Sequence, residues 1–219
     1  METKKYNFSL VLGRLNHIHI GHEMLINESI KAAKETLVLL GSAQEEGTLR
    51  NPFKFETRKR LVEKIYNDDS IIVLGLNDMS HEHDISYKWG RYILDNVYSL
   101  TGKRPDLFVY GNDESRQGWF SDEDKKGIDE MIISRDIIKI SATNLRGLIL
   151  IGKKDEWVKY VSKNIHDEFD ALREELLNIS VYKEIYDKIK DELTLEKFLE
   201  VYKVYEKIDK ENKLNKNRK

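Results

Sequence analysis

With 219 residues, 40% of them hydrophobic and 35% charged, the chain is long enough to bury one good core plus a small appendage, and it has the composition of a soluble globular protein. A formal net charge of -2 argues against a general nucleic-acid coat or a binder of anionic membranes, so any phosphate affinity has to be local. The lack of cysteine excludes disulfides, thiolate metal sites and a cysteine nucleophile, and a polar start after Met1 with no membrane-length apolar run makes the cytoplasm the expected location.

The first predicted element is the apolar run Phe8 to Gly13, a strand, and an amphipathic helix begins at about Glu23 with Leu25, Ile26, Ile30 and Ala33 on one face. Between them, Arg14-Leu15-Asn16-His17-Ile18-His19-Ile20-Gly21-His22 forms a strand-to-helix turn carrying an arginine and three histidines. In a parallel α/β unit such a turn lies at the strand's carboxyl edge, where the next helix presents unpaired N–H groups and its positive dipole end, so an anion belongs there. Gly13 lets backbone approach a ligand, Gly21 keeps the helix start open, and His19 and His22 place two imidazoles on one side of the turn. His-x-Gly-His by itself is a short pattern whose histidines also read as helix caps. The strand before it and the helix after it favour the phosphate reading.

Three further short apolar runs follow, Thr36 to Gly41, Ser70 to Leu76 and Asp106 to Gly111, separated by helices predicted over about Phe55 to Tyr66 and Ser86 to Leu100, the latter with Trp89, Ile93 and Val97 in line. This rhythm predicts an α/β fold, a Rossmann-like doubly wound parallel sheet. Gly13, Gly41, Gly75 and Gly111 fall at or beside strand ends, which collects the ligand loops along one edge. Within the loop from Asn51 to Arg58, Phe53 beside Pro52 is either a lid residue or a hydrophobic plug. His81 and His83 sit in a His-x-His pattern without placed third and fourth ligands, and read as a loop at a substrate mouth rather than a metal site.

If the first and fourth strands are adjacent, the turn from Arg14 to His22, the loop from Gly111 to Arg116 and the segment from Ile140 to Arg146 meet at the switch point where ligands bind. Met131 to Ile133 and Asp136 to Ile140 read as a strand and its approach, followed by a short helix through about Ile151. Ser141 and Thr143 are natural N-cap residues with Arg146 one turn further on. Two hydroxyls, backbone N–H groups and a guanidinium make a phosphate clamp, against the plainer reading of an ordinary cap with a solvated arginine.

The nucleotide-binding domain is therefore expected over residues 1–153, and residues 154–208 form a helical extension. Its stripes are Phe169, Leu172, Leu176 and Ile179; Tyr182, Ile185, Tyr186 and Ile189; and Leu195, Phe198, Leu199, Tyr202 and Tyr205. They pack on the sheet domain or on each other, or else form the contact of a homo-oligomer. Residues 209–219 are polar, lysine-rich and aperiodic, which predicts a disordered tail.

The segment Gly13-Arg14-Leu15-Asn16-His17-Ile18-His19-Ile20-Gly21-His22 resembles the Gly-Arg-Phe-Gln-Pro-Phe-His-x-Gly-His signature of nicotinamide mononucleotide (NMN) adenylyltransferases of the archaeal type and of the bacterial type fused to a Nudix hydrolase. In the same order, Leu40-Gly41-Ser42-Ala43, the stretch from Asn51 to Arg58, Trp89 after the third strand, and Ile140-Ser141-Ala142-Thr143-Asn144-Leu145-Arg146 are similar to that family, over roughly residues 6–150. Asn16 and His17 depart from its Gln-Pro, and the loop from Gly111 to Arg116 is only loosely similar. Arg173-Glu174-Glu175-Leu176 is similar to a fragment of a Nudix box but lacks the preceding glycine and following acidic pair, so no hydrolase activity is expected.

The resemblance implies transfer of AMP from ATP to NMN, giving NAD and pyrophosphate. It implies ATP contacts by Gly13, Arg14, His19, His22, Gly111, Ser141, Thr143 and Arg146. Of these, His19 and His22 would meet the triphosphate and its developing charge, and Arg14 and Arg146 would hold the departing pyrophosphate. Asn51, Phe53 and Trp89 would hold the acceptor, with Trp89 equally readable as a core residue of its helix. Mg²⁺ would bridge phosphate oxygens without a protein metal site. A transferase acting on nicotinic acid mononucleotide or another phosphomonoester, and a non-catalytic nucleotide sensor, are the alternatives.

Overall fold

The computed structural model describes residues 4–79, 87–112, 118–134, 136, 138 and 140–216. Five parallel strands, β1 (Tyr6–Gly13), β2 (Ala33–Leu40), β3 (Ile71–Gly75), β4 (Leu107–Gly111) and β5 (Asp129–Ile133), form one sheet in the order β3-β2-β1-β4-β5. β1 pairs with both β2 and β4, so the chain reverses direction across the sheet at β1/β4, which meets the condition under which the three loops gather at a switch point.

Side-chain alternation along the strands sorts the apolar residues onto two faces. Phe8, Leu10, Leu12, Leu37, Leu39, Phe108 and Tyr110 pack with Ile93, Leu94 and Val97 of α3 (Tyr87–Thr101). Val11, Val38, Leu40, Leu107 and Val109 pack on the opposite side with α1 (Ile20–Ala32), α2 (Phe55–Ile65) and α4 (Ala142–Leu150). Helices on both faces of a parallel sheet make this a Rossmann-like α/β fold.

Two boundaries differ from the sequence reading. α1 starts at Ile20 and stops at Ala32, so Ala33, expected on its apolar face, instead begins β2, its N–H still donating to Ser29 O as the helix cap. Helix and strand abut without glycine or proline, which leaves no local signal of the break. At the other end, β5 includes the charged Asp129 and Glu130, tolerated because they lie on an exposed edge strand.

Residues beyond Lys153 are helical: a short α5 (Lys154–Trp157), two 3-10 turns (Val158–Tyr160 and Lys163–Glu168), α6 (Phe169–Leu177), α7 (Ser180–Ile189) and α8 (Leu195–Lys216). Their stripes close over the α1/α2/α4 side of the sheet, where Trp157, Phe169, Leu172, Leu176, Tyr182, Ile185, Ile189 and Phe198 join the strand and helix residues in one core. A Cβ on Gly147 of α4 would stand 2.4 Å from Phe198 Cδ1, so α8 reaches α4 only because that residue is glycine. Polar contacts fix the same interface: Lys64 pairs with Asp167 at 2.6 Å and with Glu168 at 2.9 Å, and Glu23 accepts from the Ser162 N–H at 3.0 Å. Glu175, the second of two carboxylates in the Nudix-like fragment, accepts from Lys54 N–H at 3.2 Å and from the Thr57 hydroxyl at 3.0 Å, so it caps α2 from outside. α8 continues to Lys216 through the polar run expected to be disordered, because a helix already nucleated extends at little cost.

Candidate active site

The carboxyl ends of β1, β2 and β4 carry Gly13, Leu40 and Gly111, and the segments leaving them form the site edge. Two residues there adopt the left-handed conformation that non-glycine side chains avoid: Leu15 and Ser42, both at φ 50°. Arg58 of α2 holds both turns. It is buried, and its guanidinium donates to Arg14 O at 2.8 Å, Gly41 O at 2.8 Å and Ser42 O at 2.9 Å. Gly41 N–H in turn donates to Gly13 O at 3.1 Å. The sequence reading placed Arg58 in the neighbouring loop without a role, since nothing in a helical Arg shows that it turns inward onto three carbonyls.

His19 is the N-cap of α1. Its Nδ1 accepts from Gly21 N–H at 3.0 Å, which requires a neutral ring with the proton on Nε2. The capping reading of this histidine is therefore realised together with its place on the site edge. A Cβ on Gly21 would lie 2.9 Å from His19 Cε1, so glycine is needed for the ring to sit there. His22, one turn along, brings its ring centroid to 4.0 Å from that of His19.

Ser141 caps α4: its hydroxyl accepts from Asn144 N–H at 3.2 Å, and Ser141 N–H donates to Asn144 Oδ1 at 3.2 Å, completing a capping box at an exposed helix start. Thr143 lies inside the first turn, and its hydroxyl accepts from Arg146 at 3.0 Å. Arg146 itself is neither solvated nor open to a phosphate as the sequence led one to expect. Its guanidinium is buried, donating to Thr143, to Tyr182 OH at 2.7 Å, to Tyr202 OH at 3.1 Å and to Asn16 O. Among the described residues neither Arg58 nor Arg146 pairs with a carboxylate. Burial and the nearby Arg14 cation push the Arg58 guanidinium down to about 10, still protonated at neutral pH. The site edge thus carries two buried guanidinium groups whose hydrogen-bond acceptors are carbonyl and hydroxyl oxygens.

The expected acceptor residues are not brought together. Phe53 is fully buried in the core and meets His17 edge-on at 6.0 Å, so it is the plug and not the lid, and its ring has no open face for a substrate. Asn51 is buried too; its side-chain oxygen accepts from Asn16 at 3.2 Å, while Asn16 Oδ1 accepts from Phe53 N–H at 3.3 Å, which ties the first turn to the second loop. Trp89 lies on the other side of the sheet, stacked on Tyr92 at 5.4 Å and edge-on to Trp119 at 6.2 Å, half-buried. Gly111 ends β4 as expected; Asp113 to Arg116, and His81 and His83, lie outside the described residues.

His17 stands where the resembled signature has proline. It is buried, and its Nε2 accepts from Trp157 Nε1 at 3.1 Å, joining the turn to the extension. Burial drives its pKa from 6.5 down to about 3. Unfolded chains take up this proton below about pH 6.5 and the folded protein only near 3, so acid favours unfolding across that window and the penalty vanishes above it. We expect this group to make the protein less stable by about 2 kcal/mol at about pH 5 than at about pH 8. Urea denaturation at the two pH values should show that difference shrinking by about this amount in His17→Gln.

Among the described residues no three His, Asp or Glu side chains gather to hold a metal ion, and no helix is long and apolar enough to span a membrane. Residues 10–190 match the family model described as cytidylyltransferase-like. A nicotinamide-nucleotide adenylyltransferase of Pyrococcus horikoshii is 25% identical over 185 residues, 82% of this chain and 92% of that protein. The nicotinamide/nicotinic acid mononucleotide adenylyltransferase of Acinetobacter baylyi is 22% identical over 117 residues, 53% of this chain and 61% of its own length. In fold, the chain is similar to a bifunctional NMN adenylyltransferase/ADP ribose pyrophosphatase of Francisella tularensis, solved with AMP and a manganese ion, with a TM-score of 0.59 and 20% identity. That match spans 82% of this chain and 51% of the other. This chain therefore spans about half to three-fifths of the latter two proteins.

Proposed function

The chain belongs to the cytidylyltransferase-like family, and on that premise we propose that it is an NMN adenylyltransferase, transferring AMP from ATP to NMN with release of pyrophosphate. The observation that carries this reading is the grouping at the β1/β4 switch point of Arg14 in the turn after β1, His19 and His22 at the start of α1, and the capped start of α4 at Ser141. The archaeal relatives named for this activity support it over most of their length.

An oxygen of the NMN phosphate forms a bond to the α-phosphorus of ATP as the bond to the bridging oxygen of the β-phosphate breaks, and the electron pair leaves with pyrophosphate. The nucleophile is already anionic, so the protein's task is alignment and charge neutralisation. Arg14, His19 and His22 supply donors along the triphosphate, and α1 adds the N-terminal end of its dipole. Ser141 and Thr143 hold phosphate at the exposed, capped start of α4, Gly13 and Gly111 leaving room for backbone approach. Arg146, buried behind them, acts through its field and by fixing Thr143 and the Asn16 carbonyl rather than as an open clamp on pyrophosphate. The nitrogen and hydroxyl donors here suit phosphate oxygens rather than a metal ion, so Mg²⁺ would enter with ATP and, when bound, would screen the charge that builds between the phosphates. Of the expected acceptor contacts, Trp89 is the one that is not buried, Asn51 and Phe53 both being so.

Pyrophosphate release from ATP and Mg²⁺ should require a pyridine mononucleotide and should be at least tenfold slower with phosphopantetheine. Comparing NMN with nicotinic acid mononucleotide in the same assay fixes the acceptor. Tight ATP binding without release to any acceptor would favour a nucleotide sensor instead.

A further inference from the structure

We propose that Tyr182 and Tyr202, contributed by the helical extension, are positioning residues of the nucleotide site that act through Arg146; this rests on the adenylyl-transfer reading above. Both phenols are buried, and each has its hydroxyl used twice. Tyr182 accepts from Arg146 Nε at 2.7 Å and donates to Leu49 O at 2.8 Å; Tyr202 accepts from Arg146 at 3.1 Å and donates to Leu49 O at 3.2 Å. The same guanidinium donates to Thr143 Oγ1 at 3.0 Å and to Asn16 O. One buried cation therefore joins the turn after β1 to the first turn of α4, and the two hydroxyls from α7 and α8 that set its plane tie it to Leu49 in the loop after β2.

The chemistry of the partners is what points to a ligand. A buried guanidinium is ordinarily held by carboxylates, which would cancel its charge. Here every acceptor is neutral: two phenols, a threonine hydroxyl and a carbonyl. The guanidinium is oriented while its charge is kept for an anion at the neighbouring helix start. A carboxylate in either tyrosine's place would orient it equally well and remove that charge.

The test is steady-state kinetics of the full chain carrying Tyr182→Phe, Tyr202→Phe or both, beside Tyr205→Phe, which removes only an exposed hydrogen bond to Glu184. Each single variant should raise KM for ATP about five- to tenfold, the net worth of about one ordinary hydrogen bond, with KM for NMN unchanged within about twofold and Tyr205→Phe like the parent. In an Arg146→Lys background the same tyrosine changes should add almost nothing, because the group they act through is gone. An unchanged KM for ATP, an equal effect in the Arg146→Lys background, or tighter ATP binding would each overturn the proposal, the last by making the phenols a block on Arg146. Should the double variant not fold, the single ones decide. Should the parent protein not turn over NMN, the adenylyl-transfer reading fails by itself, and equilibrium dialysis of ATP against the same variants still tests the tyrosines.

Discussion

Replacing His22 with alanine should slow pyrophosphate release by about 10²- to 10³-fold, the loss that follows removal of one preorganised donor from a charge-stabilising site. The fold should survive. His22 is only partly buried and lies one turn into α1, whose cap is made by His19 and Gly21 rather than by His22. Its ring stands 4.0 Å from that of His19, and the two form a single unit, so His19→Ala and the double variant should fall to nearly the same low rate instead of multiplying. Rate and melting temperature measured together on the three variants separate the roles: His22→Ala loses rate alone, while His19→Ala also loses the stability of an N-cap, about 1 kcal/mol.

Arg58→Met should have the largest effect on stability. Removal of the guanidinium strands Arg14 O, Gly41 O and Ser42 O inside the protein, at about 1–3 kcal/mol for each unsatisfied acceptor. Release from burying a cation without a carboxylate offsets part of this, leaving about 3 kcal/mol of destabilisation. Loss of function should go further. Leu15 and Ser42 are held in left-handed geometry beside those carbonyls, and without Arg58 both turns relax toward ordinary backbone angles. ATP affinity should then fall at least tenfold even at temperatures where the variant is fully folded. Urea denaturation and equilibrium ATP binding on the same preparation check both halves of the expectation.

The two arginines show where sequence reading succeeds and where it stops. Strand-helix alternation, glycines at strand ends and the β1/β4 switch point are local or topological signals, and the sheet follows them. The turn with His19 and His22 is legible for the same reason, since cap, glycine and helix start are consecutive. Arg146 is legible as a residue of the site but not in its role, because the groups that bury it, Tyr182 and Tyr202, lie 36 and 56 residues away on helices whose stripes show only that they are buried. Phe53 carries no periodic signal that tells plug from lid, and its place beside His17 depends on packing across three segments. Arg58 was missed because an inward-facing helical arginine looks, in sequence, like a solvated one.

In the proposed transfer the α-phosphorus of ATP is the atom under attack. The most direct measurement uses ATP radiolabelled at the α-phosphate, incubated with the protein, Mg²⁺ and NMN, followed by separation of the products. Label appearing in NAD, with unlabelled pyrophosphate in equal amount, is the result expected here. Label remaining in ATP despite measurable nucleotide binding, or appearing only in AMP or ADP, would contradict adenylyl transfer by this site.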